Sequence, residues 1–230
     1  MKNRSLNIDP VYSYIEQYRA KLWEYAEILS SYSSRTRLTG PRDAGTLFAE
    51  HIQDCIFPLP LMPEKGRVID VGTGGGLPGL VWAICRPDLE VCLLDSIRKK
   101  SAAVEAISSE LGLSNVTVVC DRAENWAVNN REIYDLAVAR AVTSSGVLTE
   151  YLSPLTRTGG SIIAFKGPKL WNEIEDFDDK WNRLGLSGPV IYSYTINDRD
   201  NYIVKWSKLE PCPLKYPRRP GLADRKPWWR

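Results

Sequence analysis

The residues best suited to chemistry lie between Val68 and Leu80, where the chain reads VIDVGTGGGLPGL. A β-branched apolar run carries the carboxylate Asp70, glycines follow at 72, 74, 75 and 76, and Pro78-Gly79 opens the next apolar stretch. Val68 to Val71 is too short for a helix and suits a buried strand, whereas Pro78 fits a first helical turn, where its missing N–H costs nothing. Glycines permit positive φ and let another molecule approach the backbone, and a helix N-terminus offers unpaired N–H groups. A turn with no ligand does not need four glycines in five residues. The stretch therefore predicts a nucleotide cradle.

Gly74-x-Gly76-x-x-Gly79 satisfies the dinucleotide fingerprint, with Asp95 downstream to hold a ribose, so a nicotinamide enzyme is one alternative. Two details favour S-adenosylmethionine. The run also reads Asp70-x-Gly72-x-Gly74-x-Gly76, the pattern of Rossmann-like methyltransferases. In addition, a carboxylate at the strand end suits a ligand carrying an ammonium and a sulfonium and would repel a pyrophosphate. Asp95 ends a second apolar strand, Glu90 to Asp95, placed to accept from both ribose hydroxyls. Ser96 is expected to cap the following helix, Ile97 to Leu111, which leaves Asp95 free for the ribose. After a third strand, Val116 to Val119, comes Asp121-Arg122-Ala123-Glu124, where backbone near Ala123 and the Glu124 carboxylate could read an adenine edge.

Two cations end further strands: Arg140 after Tyr134–Ala139, and Lys166 after Gly160–Phe165. The C-terminal edge of a parallel sheet is where ligands bind, so the pair is expected at one rim, suited to a phosphate-rich substrate; a salt bridge for Arg140 is equally compatible. His51, the only histidine, lies three residues before Asp54 and shares a helical face with it, an arrangement that more often stabilises a helix end than does chemistry.

The elements that position these residues follow from periodicity. Apolar and tyrosine residues from Val11 to Leu29 at intervals of three and four predict an amphipathic helix over 10–34, and a second helix is expected over 43–56. Prolines 58, 60 and 63 then make a linker. Helices are expected over 78–85, 144–155 and 169–184, the last with a solvated acidic face from Glu173 to Asp179. Strands Val190–Ile196 and Tyr202–Leu209 flank a polar hairpin turn, Asn197 to Asn201. The sum is an α/β, Rossmann-like fold: a seven-stranded, mostly parallel sheet with one antiparallel strand. A helical extension over 1–63 precedes the core at 64–210, and a basic, proline-rich tail at 211–230 follows.

At 230 residues, 43% hydrophobic and 25% charged, the chain can bury a full core. No apolar stretch reaches the roughly 18 residues of a membrane span, and the N-terminus lacks the apolar region of a signal peptide, so a cytoplasmic setting is expected. Five scattered cysteines, without metal-ligand spacing, read as reduced and mostly buried, with no metal site. The net charge of +2 is uneven: Lys205 to Arg230 holds eight basic and two acidic residues, against 22 and 26 in the rest. A basic end on a slightly acidic body suits a polyanion, although a solubilising tail would look the same.

Several separated motifs resemble the glucose-inhibited division protein B family, RsmG: Leu38-Thr39-Gly40, His51-x-x-Asp54, Asp70 to Gly79, Leu93-Leu94-Asp95-Ser96, Arg122-Ala123-Glu124, Ala139-Arg140-Ala141, Phe165-Lys166-Gly167, and Tyr216 to Gly221 with Lys226-Pro227. The resemblance covers nearly the whole chain and implies an S-adenosylmethionine-dependent guanine-N7 methyltransferase acting on 16S ribosomal RNA, free or in the small subunit. It implies cofactor contacts at Gly72, Leu77, Ala123, Glu124 and Arg140, and RNA contacts at basic positions, for which Arg122, Lys166, Lys215, Arg218, Arg219 and Lys226 are the candidates. Arg37, Cys55 and Gly75 depart from residues usual in that family, asparagine, serine and proline respectively.

Guanine N7 carries its own lone pair and needs no proton removed, so a chain with one histidine and no acid–base dyad is chemically adequate. Placement alone is worth up to about 7–11 kcal/mol in well-oriented systems. Arg140 and Lys166 are expected to orient flanking phosphates or guanine O6, and the tail from Lys215 to Lys226 to clamp RNA as an extended arm or to pack on the domain. A small-molecule methyltransferase and a non-catalytic S-adenosylmethionine-binding regulator are the alternatives. Nothing in the sequence demands more than a monomer.

Overall fold

The computed structural model describes residues 2–140, 143–174, 177 and 180–230, with side chains from Arg4 onward. Its contacts gather into two units, Asn7–Cys120 and Met1–Leu6 with Asp121–Arg230. The chain opens with strand β1 (Lys2–Ser5), which belongs to the second unit.

In the Asn7–Cys120 unit, helix α1 (Asp9–Ser33) carries Pro10 in its first turn and buries Val11, Ile15, Leu22, Tyr25, Ala26 and Leu29, the stripe that the periodicity predicts. The second helix forms in pieces. Asp43 caps a single turn, α2 (Ala44–Thr46), by accepting from the Thr46 N–H at 2.8 Å; a wide π-type turn (Leu47–Ile52) and a tight 3-10 turn (Asp54–Ile56) complete it. Strands β2 (Gly66–Val71), β3 (Leu89–Asp95) and β4 (Val116–Cys120) pair in parallel in that order. Helix α3 (Gly79–Cys85) links β2 to β3 and is buried along its whole length, as an all-apolar short crossover must be. Trp82 donates its indole N–H to the Cys55 carbonyl at 2.7 Å, which fixes the 3-10 turn on α3. Helix α4 (Arg98–Glu110) returns the chain to β4 and stops at Gly112, whose φ is +65°.

In the other unit, helix α5 (Ala123–Asn129), strand β5 (Tyr134–Arg140), helix α6 (Ser145–Leu152) and strand β6 (Thr156–Lys166) continue the alternation, with β5 and β6 parallel. A short helix α7 (Leu170–Ile174) and a 3-10 turn (Lys180–Leu184) precede strands β7 (Val190–Ile196) and β8 (Arg199–Ser207). β8 is antiparallel to both β6 and β7, the one reversed strand that the hairpin requires. Asn197 and Asp198 take φ of +50° and +57°, the left-handed pair of a two-residue hairpin, so β8 starts three residues earlier than expected. The last helix, α8 (Leu222–Arg225), lies in the C-terminal segment.

Two expectations are corrected and one pair of alternatives is resolved. Among the described residues there are eight strands, not seven: β1 adds a parallel edge to β7, with Lys2 opposite Val190, and its polar sequence carries no strand signal. Among the described residues, the helix expected over 169–184 is a short α-helix, α7, and a 3-10 turn over Lys180–Leu184, with Phe177 also in 3-10 geometry; of its acidic run, Glu175, Asp176, Asp178 and Asp179 lie outside the described residues. Of the two readings of the tail, packing on the domain holds and the extended arm does not. Trp228 and Trp229 are buried in a cluster with Phe177 and Trp181, and Trp181 packs on Trp206. The Trp228 indole donates to the Gly146 carbonyl at 2.7 Å, and a Cβ on Gly146 would lie 2.3 Å from the Trp229 ring. The aromatic end of the chain is thus part of the second unit's core. No helix among the described residues is long and apolar enough to cross a membrane.

Candidate functional site

β2 delivers Asp70 fully buried beneath the glycine loop. One of its oxygens, Oδ2, accepts from the Thr73 hydroxyl at 2.7 Å and from the Gly79 N–H at 2.9 Å, tying both ends of the loop to the strand. Gly72, Gly74 and Gly76 have φ of +74°, +59° and +95°, which side chains with a Cβ rarely adopt. Gly79 serves packing instead: a Cβ there would come within 2.1 Å of Leu93 and 3.0 Å of the Asp70 carboxylate. The helix begins at Gly79 with Pro78 as its cap, one residue later than expected. Asp70 therefore acts on the loop, and through the loop on whatever the loop holds. Leu77 is buried, and its N–H is satisfied by the Thr73 carbonyl at 3.1 Å.

The loop is also braced from the N-terminal side, by residues of the first helix and of the Leu38-Thr39 segment whose contact with the loop the sequence pattern does not indicate. Tyr25, fully buried on α1, donates its hydroxyl to the Gly75 carbonyl at 2.8 Å. A Cβ on Gly75 would come 2.9 Å from Leu29 and 3.2 Å from Thr39, so absence of a side chain lets α1 and the Leu38-Thr39 segment close on the loop. A buried tyrosine needs a hydrogen-bond partner, but helical spacing alone cannot say where that partner lies.

Asp95, expected to be free for a ribose, is already engaged. Its Oδ2 accepts from the Gly74 N–H at 3.0 Å and its Oδ1 from the Ile97 N–H at 2.9 Å. Ser96 does not cap α4; the capping position falls on Ile97, and the Asp95 carboxylate serves that turn. A carboxylate has about four acceptor sites, so two backbone bonds fix its orientation and leave capacity for hydroxyl donors. The loop and Asp95 thus form one preorganised backbone-and-carboxylate cradle within a single unit.

In the other unit, Arg122 occupies the position before α5 without a side-chain capping bond and is exposed, while Ala123 and Glu124 are buried at its first turn. Burial pushes the Tyr151 phenol well above its ordinary value, and the Glu124 carboxylate adds to this. At the C-terminal ends of β5 and β6, Arg140 pairs in register with Phe165, and its guanidinium lies over the Phe165 ring, 5.9 Å from its centre. The next residue, Lys166, is only 8% exposed along its side chain. Its ammonium donates to the Thr143 carbonyl at 2.8 Å and to Glu173 Oε2 at 2.7 Å. The same Glu173 oxygen accepts from the Ser145 N–H and hydroxyl, each at 2.8 Å. Burial raises the Glu173 carboxyl, but the bonds from Lys166 and Ser145 outweigh it and hold the group below its usual range. Lys166 is therefore a buried ion-pair partner, not the open phosphate donor expected, and Glu173 is not part of a solvated face.

The basic tail divides likewise. Arg218 makes a two-pronged bond to the fully buried Glu150, at 2.9 and 2.6 Å, and its N–H donates to the same carboxylate at 3.1 Å. Lys208 is buried against Glu132 at 3.0 Å and the Ser153 carbonyl at 2.6 Å. Arg131 donates to the Tyr216 and Pro213 carbonyls at 2.6 and 3.1 Å and also to that of Cys212, which pins the start of the tail. Lys215, Arg219 and Lys226 stay exposed. His51 is half-buried in the π-type turn and Asp54 is buried three residues on. Among the described residues no cluster of His, Cys, Asp and Glu could hold a metal ion.

Parallel βα units, a glycine loop at the C-terminal end of β2 and an acid at the end of β3 define a class I, Rossmann-like methyltransferase fold. Two solved structures share it at low identity. An rRNA methylase from Streptococcus thermophilus matches with TM-score 0.50 and 16% identity, over 66% of this chain and 91% of that one. A variant of the 16S rRNA (adenine(1408)-N(1))-methyltransferase from Catenulisporales acidiphilia matches with TM-score 0.51 and 17% identity, over 64% and 86%. The chain belongs to the family described as GidB, rRNA small subunit methyltransferase G, whose model matches residues 18–200. Relatives named ribosomal RNA small subunit methyltransferase G include those of Carboxydothermus hydrogenoformans, 34% identical over 93% of each chain, and Alkaliphilus metalliredigens, 36% identical over 90% of this chain and 89% of that relative.

Proposed function

We propose that this protein is an S-adenosylmethionine-dependent methyltransferase acting on N7 of a guanine in 16S ribosomal RNA. The observation that carries it is the loop cradle, Asp70 to Gly79 with Asp95, in a chain of the rRNA small subunit methyltransferase G family. The cradle fits the cofactor: three glycines with positive φ keep the loop free of side chains, and the Asp95 carboxylate retains acceptor capacity for a ribose. Gly72, Gly74, Gly76 and Leu77 would line the cofactor, with Asp70 holding the loop, and Ala123, Glu124 and Arg140 complete the set on the strength of the family resemblance. When bound, the cofactor would supply a methyl group on a cationic sulfur, and guanine N7 would bring its own lone pair to it.

The protein's share is binding and alignment, since no proton has to leave the guanine first. Arg140 supplies a fixed cation at the strand rim, and Arg122, Lys215, Arg219 and Lys226 supply exposed charge for the RNA backbone. The reading is tested with tritiated S-adenosylmethionine and small ribosomal subunits from a strain lacking this gene. Label in 16S RNA supports it. S-adenosylmethionine binding without label favours a regulator, and binding of NADH in its place would restore the dinucleotide reading.

A further inference from the structure

The Lys166–Glu173 pair lies where the substrate-facing rim of a parallel α/β sheet is expected, yet its geometry is that of a strut. Two adjacent residues at the end of β6 contact Arg140 at the end of β5 and the carbonyl of Thr143. Phe165 lies under the Arg140 guanidinium, and Lys166 binds the Thr143 carbonyl. Glu173, arriving from α7, takes the Lys166 ammonium and the first N–H and hydroxyl of α6 on one oxygen. A carboxylate at a helix N-terminus is favourably placed on the helix dipole, and here it also joins α6 to β6. Thr143 and Ser145, three and five residues beyond Arg140, are therefore both fixed by the pair.

The same geometry argues against direct contact between Lys166 and RNA. Two of its three donors are spent on Thr143 and Glu173, and it is largely withdrawn from water. A phosphate brought to this ammonium would meet the Glu173 carboxylate on the same atom, and like charges repel in a poorly solvated site. We propose that Lys166 and Glu173 are positioning residues for methyl transfer, a strut that sets the backbone from Thr143 to Ser145 next to Arg140. The role in catalysis rests on the proposed function; the strut itself does not.

The test compares Glu173→Gln, Lys166→Met and the double variant, in full-length protein, by steady-state methylation of small subunits and by hydrogen exchange. Misplacing a positioned group by about 1 Å can cost 10²-fold, so kcat should fall about 10- to 100-fold in each single variant. KM for S-adenosylmethionine and for particles should stay within about threefold. The double variant should be no worse than the worse single, as expected of two residues in one network. Ser145 should lose amide protection in Glu173→Gln, and Glu173→Asp should recover part of kcat. Lys166→Arg replaces Lys166→Met if the latter does not fold. The strut is overturned if Ser145 exchange is unchanged in Glu173→Gln. The positioning role is overturned if Lys166→Met weakens particle binding tenfold while Glu173→Gln keeps full kcat, because Lys166 would then act on RNA directly. Wild-type protein that gives no label while the Ser145 change is seen would sink the functional reading and leave the strut standing.

Discussion

Replacing Arg218 by alanine should destabilise the fold before it weakens RNA binding. Glu150 is fully buried on α6, and Arg218 supplies two guanidinium bonds and a backbone N–H to it. Removing one partner of a buried ion pair costs about 3–5 kcal/mol, since the remaining charge is stranded away from water. The Arg218 side chain is 20% exposed and the backbone N–H survives in the variant, so the lower end, about 3 kcal/mol, is the expectation. For a chain of this size that is a fall in Tm of about 6–12 °C, at about 2–4 °C per kcal/mol. Urea denaturation gives the free energy, and an unchanged m-value would show that the native state kept its compactness. Adding Glu150→Gln to Arg218→Ala should cost less than the two losses added together, because the stranded charge is gone. In RNA binding, Arg218→Ala should leave the salt slope unaltered, whereas neutralising Lys215, Arg219 or Lys226 should lower it by about 0.7–0.9 for each phosphate no longer neutralised. A destabilisation under about 1 kcal/mol, together with a reduced salt slope, would refute the reasoning and make Arg218 an RNA-binding residue after all.

Tyr25→Phe strands the buried Gly75 carbonyl, which should cost about 1–3 kcal/mol of stability and raise the Kd for S-adenosylmethionine severalfold; calorimetry reads both. An unchanged Kd would mean that the loop keeps its shape without the brace. Of the five thiols only Cys120 is exposed, so native protein should give one rapid equivalent with Ellman's reagent; Cys85, pushed up to about 12 by burial, should react only on unfolding. Two or more rapid equivalents would contradict the packing. Glu173 sits below its ordinary value of 4.5, so its stabilisation is complete above that pH and is lost as the pH falls through the folded value. The stability gap between wild type and Glu173→Gln should therefore narrow on acidification below about 4.5; a gap that widened there would mean that folding raises this carboxyl instead of lowering it.

Where local chemistry set the geometry, the sequence was readable. The glycine loop, its supporting Asp70 and the βα alternation are written in short-range pattern, and the hairpin at Asn197-Asp198 in turn chemistry. What escaped were pairings made across the chain. Asp95 looked free because Ser96 offered a better cap, but backbone N–H groups from two segments converge on its carboxylate. Arg218 and Lys166 looked like RNA cations because their partners, Glu150 and Glu173, lie 68 and 7 residues away, one hidden in an apolar helix and the other in an acidic run. A count of charges cannot tell a clamp from a buried pair; only the partner can. Trp228 and Trp229 show the same limit, since a terminal Pro-Trp-Trp reads as a tail until Gly146 makes room for it.

The identity of the product nucleoside tests methyl transfer to guanine N7 most directly. Small subunits from a strain lacking this gene, treated with the protein and labelled S-adenosylmethionine, should yield 7-methylguanosine on complete digestion of 16S RNA and mass spectrometry, at up to one per particle. Label recovered on another nucleoside, or on no RNA while S-adenosylmethionine binding is intact, would contradict it.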